Sequence, residues 1–197
     1  CSIELPPSNE PSEAITIRGP QSQLPQALTA AIERANAVAV ETIDLHAMHS
    51  DADAAHFRHL LRWLATYAPR EDSVQVFLPR TDAGHIEVVS EDADAARRIA
   101  QTIEHQLRLV TPPCVRLMEV DPLTHGFIIG KKAQNLRGYE ARGVDVMLPP
   151  EHSGRDDVLL VYRRGKDAEE AVNVLDDVQN AIASAAAAAA DLRTVHF

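Results

Sequence analysis

Alternating apolar residues such as Val40, Ile43 and Leu45, and again Val115, Leu117 and Val120, predict two strands with one buried face. A helical stretch follows each. After the second strand it breaks at Gly130, so 122–129 and about 133–142 are predicted as two short helices joined by the sharp turn Gly130-Lys131-Lys132-Ala133, with Gly143 as a C-cap. After the first strand, 53–67 contains no Gly or Pro. Two further apolar runs, 144–148 and 158–162, flank a polar loop, and from Lys166 a helix carries Ala171, Val174, Leu175, Val178 and Ile182 on one stripe. The order is β-α-α-β-β-α, an α+β class. Six alanines, Ala185 to Ala190, extend the last helix as a rod or spacer.

These elements repeat. Residues 127–149 slide onto 57–79 at an offset of 70, matching Phe127 with Phe57, Val144 with Val74, Val146 with Val76, Leu148 with Leu78 and Pro149 with Pro79. The offset then grows to 75 through a five-residue insertion in the polar loop 150–157. Ser2 to Pro7 echoes the run before Pro150, and Ile15 to Gly19 echoes Leu160 to Gly165. The chain therefore divides into the back half of one repeat (1–37), a full repeat (38–110) and a second full repeat (111–190); 191–197 is a tail or the first strand of a further copy. An incomplete sheet exposes a pairing edge, so the half repeat is expected to pack on its neighbour or to be completed by another segment such as 193–197.

Composition narrows the function. With 197 residues, 45% hydrophobic and 24% charged, the chain reads as ordinary globular protein. No run approaches the roughly 18 to 20 apolar residues of a membrane span, and the N-terminus lacks the blocks of a signal peptide, so a cytoplasmic protein is expected. Cys1 and Cys114 are too few for a disulfide framework or a Cys-rich zinc site. The net charge of −10 argues against non-specific wrapping of nucleic acid. From His125 to Lys166, however, eight cations face five anions, a local +3 within a chain otherwise at −13. Such asymmetry points to one anion-facing patch.

The turn at Gly130 has the chemistry for that patch. A glycine between short helices exposes helix-terminal N–H groups and lets a phosphate chain approach the backbone, and Lys131 and Lys132 supply countercharge. Ile128, Ile129 and Leu136, with Val146 and Leu148 on the following strand, are expected to line an apolar groove for unstacked bases. Arg137, Arg142, Arg163 and Arg164 either line this groove or only solubilise it.

At this point Ile128-Ile-Gly-Lys-Lys-Ala-Gln-Asn-Leu136 resembles the I-I-G-x-x-G-x-x-I signature of the KH domain, and the element order resembles its type I form. Closely spaced copies and the run Asp121 to Gly130 look most like the vigilin class of multi-KH proteins. The resemblance implies tandem modules, each a three-stranded antiparallel sheet with helices on one face, and a loop that clamps single-stranded RNA. Carried onto this chain, the RNA-binding set is Ile128, Ile129, Gly130, Lys131, Lys132, Ala133, Asn135, Leu136, Arg137, Arg142, Val146, Leu148 and Arg163. It further implies mRNA- or ribosome-associated post-transcriptional control, with the ribosome or proteins as further partners. Two departures stand out: the second loop glycine is Ala133, and the middle copy has Leu60-Leu-Arg-Trp63 in place of the loop. The middle copy is therefore expected not to bind RNA in the family manner, and Trp63 to serve the core or packing between repeats.

The alternative from another class is a protein-interaction scaffold of KH-like modules that have lost RNA. His46-x-x-His49 and His56-x-x-His59 lack an H-E-x-x-H arrangement, nucleophile and dinucleotide motifs are missing, and neighbouring carboxylates such as Asp156 and Asp157 point apart. No enzyme, metal or cofactor is expected.

Overall fold

The computed structural model describes residues 1–4, 14–48, 52–79, 84–151, 153–165 and 167–193. It opens with a two-stranded antiparallel ribbon, β1 (Ser2–Glu4) and β2 (Thr16–Arg18), and helix α1 (Leu24–Asn36). Next come β3 (Ala39–Asp44), the short α2 (Leu45–Met48), α3 (Ala54–Tyr67), β4 (Val74–Phe77), β5 (His85–Ser90) and α4 (Ala93–Leu109). The last repeat has β6 (Val115–Glu119), α5 (His125–Ile129), α6 (Gln134–Ala141), β7 (Val144–Met147), β8 (Asp157–Tyr162) and α7 (Ala168–Arg193). Both sheets are antiparallel and share one plan, β3-β5-β4 and β6-β8-β7, with the third strand of each repeat in the centre.

Aspartates start α3, α4 and α7. Asp53 accepts the His56 amide at 2.8 Å, Asp92 the Asp94 and Ala95 amides, and Asp167 the Glu169 amide at 2.9 Å, each satisfying N–H groups that a helix leaves without partners. Their stripes then bury: Ala96, Ile99, Ile103 and Leu107 of α4, and Ala171, Leu175, Val178 and Ile182 of α7. The alanine run continues α7 as predicted, its helix reaching Arg193.

The two repeats share one hydrophobic core. Every residue of β7 is buried, although alternate residues of a strand point to opposite faces. Val146 pairs with Leu160 and faces the helices of its own repeat, while Asp145 and Met147 share the opposite face with Val161 and Leu159. That second face is covered by α3 of the middle repeat: Trp63 Nε1 donates to Asp145 Oδ2 at 2.8 Å, and Arg62 reaches the Met147 and Asp157 carbonyls. Trp63 is itself fully buried and stacks beside Tyr67.

The half repeat departs from expectation. No residue of β1, β2 or α1 is buried, and Ile3, Ile15, Leu28 and Ile32 are exposed. It neither sinks onto the middle repeat nor gains a third strand among the described residues; an exposed Arg34–Glu91 ion pair links it to the chain that follows. The β-ribbon and one helix hold too little apolar surface to bury. Residues 194–197, proposed to complete it, lie outside the described residues.

Candidate nucleic-acid interface

The turn between α5 and α6 is built by backbone geometry. Gly130 has φ 70° and ψ 173°, Lys132 φ 53° and Ala133 φ 58°; among the described residues, the last two are the non-glycine positions with positive φ. L-residues pay about 1–2 kcal/mol each for the left-handed conformation. The conformation a second glycine would adopt freely is thus kept by Ala133 under strain.

Side chains from α6 hold the turn. Asn135 Nδ2 donates to the Phe127 carbonyl at 2.9 Å, and its amide lies so close under Gly130 that an added Cβ would sit 2.7 Å from it. Arg137 folds back, its guanidinium donating to the Lys132 carbonyl and Nε to the Ala133 carbonyl at 3.4 Å. With those carbonyls engaged, Lys131 and Lys132 project outward, both exposed.

Beside the turn opens a cleft of about 610 Å³, lined by α5 and the segment before it on one side and the 148–155 loop on the other. Ile129 and Leu148 both line it, with Leu123, His125, Pro150 and Arg155. Leu123 is 68% exposed, an apolar surface open to a ligand.

Several predicted residues take other places. Ile128 is 0% exposed and Val146 is buried on the helix-facing side of β7, so both belong to the core rather than the groove. Leu136 is half-buried against the same core. Arg142 bonds Asp177 of α7 at 3.0 Å, and Arg164 donates to the Ala141 carbonyl at 3.3 Å. Arg163 Nε lies 2.9 Å from Asp145 Oδ1, close enough for charge pairing but off the line of a hydrogen bond. These arginines are engaged within the fold and do not line the cleft. Burial pushes the Asp145 carboxyl above its ordinary pKa, partly offset by the Trp63 hydrogen bond and Arg163.

Leu123, His125, Pro150 and Arg155 are among the lining residues that the sequence reading did not name. The five-residue insertion in 150–157 was a signal for Pro150 and Arg155 alone, since function is often carried on variable loops, and nothing in the sequence singled out Leu123 or His125.

The middle repeat has no such turn. α3 runs unbroken through the matching positions, and Arg62 and Trp63, aligned with Lys132 and Ala133, dock on the neighbouring sheet instead. Among the described residues no three His, Cys, Asp or Glu side chains form a group that could hold a metal, and no helix is long and apolar enough to cross a membrane. His49 of the sequence cluster lies outside the described residues; His46 packs edge-on against Phe57 at 4.5 Å.

No protein-family model matches the chain. Over 211 aligned positions, taking in 98% of its length, the chain is 23% identical to Vigilin 1 of Schizosaccharomyces pombe and spans 16% of that protein. The distant similarity is to a vigilin, the class its turn motif resembles.

Proposed function

We propose that the last repeat is a type I KH module that binds single-stranded RNA, in a vigilin-like array serving mRNA- or ribosome-associated control in the cytoplasm. The observation that carries this reading is the Gly130 to Ala133 turn: left-handed backbone at Lys132 and Ala133, two outward lysines, and an apolar cleft beginning at Ile129. The backbone of the strand would run along the turn, and bases would pack on Ile129, Leu148 and Leu123. The middle repeat acts as a brace. Supporting this division are the unbroken α3 and its use of the clamp positions for docking.

The test is fluorescence anisotropy of a randomised short RNA pool with the whole chain and a Lys131→Asp, Lys132→Asp variant at two salt concentrations. Salt-sensitive binding that the variant loses is expected. Absence of binding at low salt overturns the reading and leaves the scaffold alternative, which the net charge of −10 favours.

A further inference from the structure

Arg155 stands on the lip of the cleft, in a loop, with its side chain more than half exposed. Such an arginine ordinarily samples many rotamers and meets a ligand only after being ordered. Here it is held. Asp157 Oδ1 and Oδ2 accept from Arg155 Nε at 2.7 Å and Nη2 at 2.6 Å, a two-pronged pairing.

An exposed pair two residues apart would orient Arg155 weakly, were Asp157 itself free to turn. It is fixed from the other repeat. Arg62 of α3 donates Nη1 to the same Oδ2 and Nη2 to the Asp157 carbonyl at 3.0 Å and the Met147 carbonyl at 3.4 Å. The Arg62 and Asp157 side chains are both largely buried where α3 crosses the sheet. The Arg155 bonds, and Arg62 with them, hold the Asp157 carboxyl below its ordinary pKa against the opposing effect of burial, so it stays charged. Two guanidiniums thus share one carboxylate, a triad of net charge +1 on a loop that also carries Glu151 and Asp156, and two of Arg155's five donors are used in orienting it while the others remain for an anion.

We propose that the groove is composite: Arg155 meets the phosphate backbone of a single strand, and Arg62 of the middle repeat is the positioning residue that holds Arg155 in place through Asp157. The ligand rests on the function proposed above; the positioning does not. A repeat whose own clamp positions are lost would thereby take part in its neighbour's site, because the residue aligned with Lys132 is turned to serve the adjoining cleft.

The experiment uses the whole chain with Arg62→Ala, Arg155→Ala and the double variant, read in two ways. Anisotropy with a short single-stranded RNA should show each single variant about three- to tenfold weaker, the log–log salt slope reduced by about 0.7 as for one lost phosphate contact, and the double variant no weaker than Arg155→Ala. Nitrogen-15 relaxation of the Arg155 Nε–Hε group should show it ordered in the wild type and mobile in Arg62→Ala, with circular dichroism unchanged. Should Arg62→Ala not fold, Arg62→Lys serves the same comparison, since it keeps the charge and loses the fork. Arg155 equally ordered without Arg62, or additive losses of affinity, overturns the proposal. An ordered Arg155 in a chain that binds no RNA overturns the RNA reading alone.

Discussion

The two sheets have the same strand order and register, yet in the last sheet β7 and β8 are buried on both faces, with Leu117 on the β6 edge left 47% exposed, whereas the middle sheet is buried on one face. On the face turned from their own helices, Asp145–Val161–Val115 and Met147–Leu159–Leu117 form the rows of the last sheet. The matching rows of the middle sheet are Gln75–Val89–Val40 and Phe77–Glu87–Thr42. Where α3 covers the sheet, Met147, Leu159 and Val161 are buried; where no described element does, Phe77 and Val40 are about half exposed and Glu87 and Thr42 are polar. Sheets of the same order and register therefore tolerate different residues according to what the neighbouring repeat does. The sequence alternation of a strand records its neighbours as much as its fold.

The most severe way to break this comparison is to exchange its matched residues. Leu159→Glu puts a carboxylate under α3 with no partner, and is expected to cost about 4 kcal/mol or more, seen as loss of the cooperative urea transition. Glu87→Leu, the reverse change on the open face, should leave the midpoint within about 0.5 kcal/mol of wild type. A tolerated Leu159→Glu would mean that α3 does not seal the last sheet in solution.

Aromatic truncation separates the faces next. Trp63→Ala removes a fully buried side chain and leaves Asp145 without its donor, so a loss of about 3–5 kcal/mol is expected in chemical denaturation. Phe77→Ala, on the open face and 50% exposed, should cost about 1 kcal/mol or less. Equal losses would show that the middle sheet's outer face is also covered in solution.

Much of this was legible in the chain. The repeat at offset 70 located the elements, and Gly130 located the turn between α5 and α6, because glycine and period are local signals. What sequence left open was direction across the sheet. Ile128 and Val146 satisfy the groove pattern equally well as core residues, and a motif carries no record of which side of a strand the helices occupy. Arg142 and Arg163 likewise answer to Asp177 and Asp145, partners 35 and 18 residues away in sequence. The first segment shows a further limit: its echo of the complete copies predicts elements but not their burial, and the described ribbon and helix bury none of their residues.

Asp145 gives a smaller test with a defined sign. Its carboxyl is raised above the ordinary 3.8 by burial, so its charge destabilises the fold above the raised value, and that cost falls away as pH drops through it towards 3.8. Asp145→Asn keeps an acceptor for Trp63 and removes the charge, so at neutral pH it should shift stability by about 1 kcal/mol or less. Lowering the pH towards 3.8 should move the balance towards wild type. Asp157 acts oppositely: its lowered pKa makes its stabilisation complete above 3.8 and lost at pH below that, as the folded carboxyl takes its proton. A wild type that loses ground to Asp145→Asn between neutral pH and 3.8 would contradict the assignment of burial as the dominant cause.

The finest contrast lies at one aligned position, Trp63 in the middle repeat and Ala133 in the last. A large side chain at Trp63 is what joins the repeats, whereas at Ala133 even a methyl group is unfavourable, because φ 58° crowds Cβ against the backbone. Ala133→Gly relieves that crowding at about 1–2 kcal/mol and gives back about 0.4–1 kcal/mol through the freer unfolded chain. The expected result is a gain of about 0.5–1 kcal/mol in denaturation midpoint, together with RNA affinity equal to or tighter than wild type as the backbone opens to phosphate. A destabilised Ala133→Gly would mean that the turn is not left-handed in solution, and with it the geometry on which the interface depends would fall.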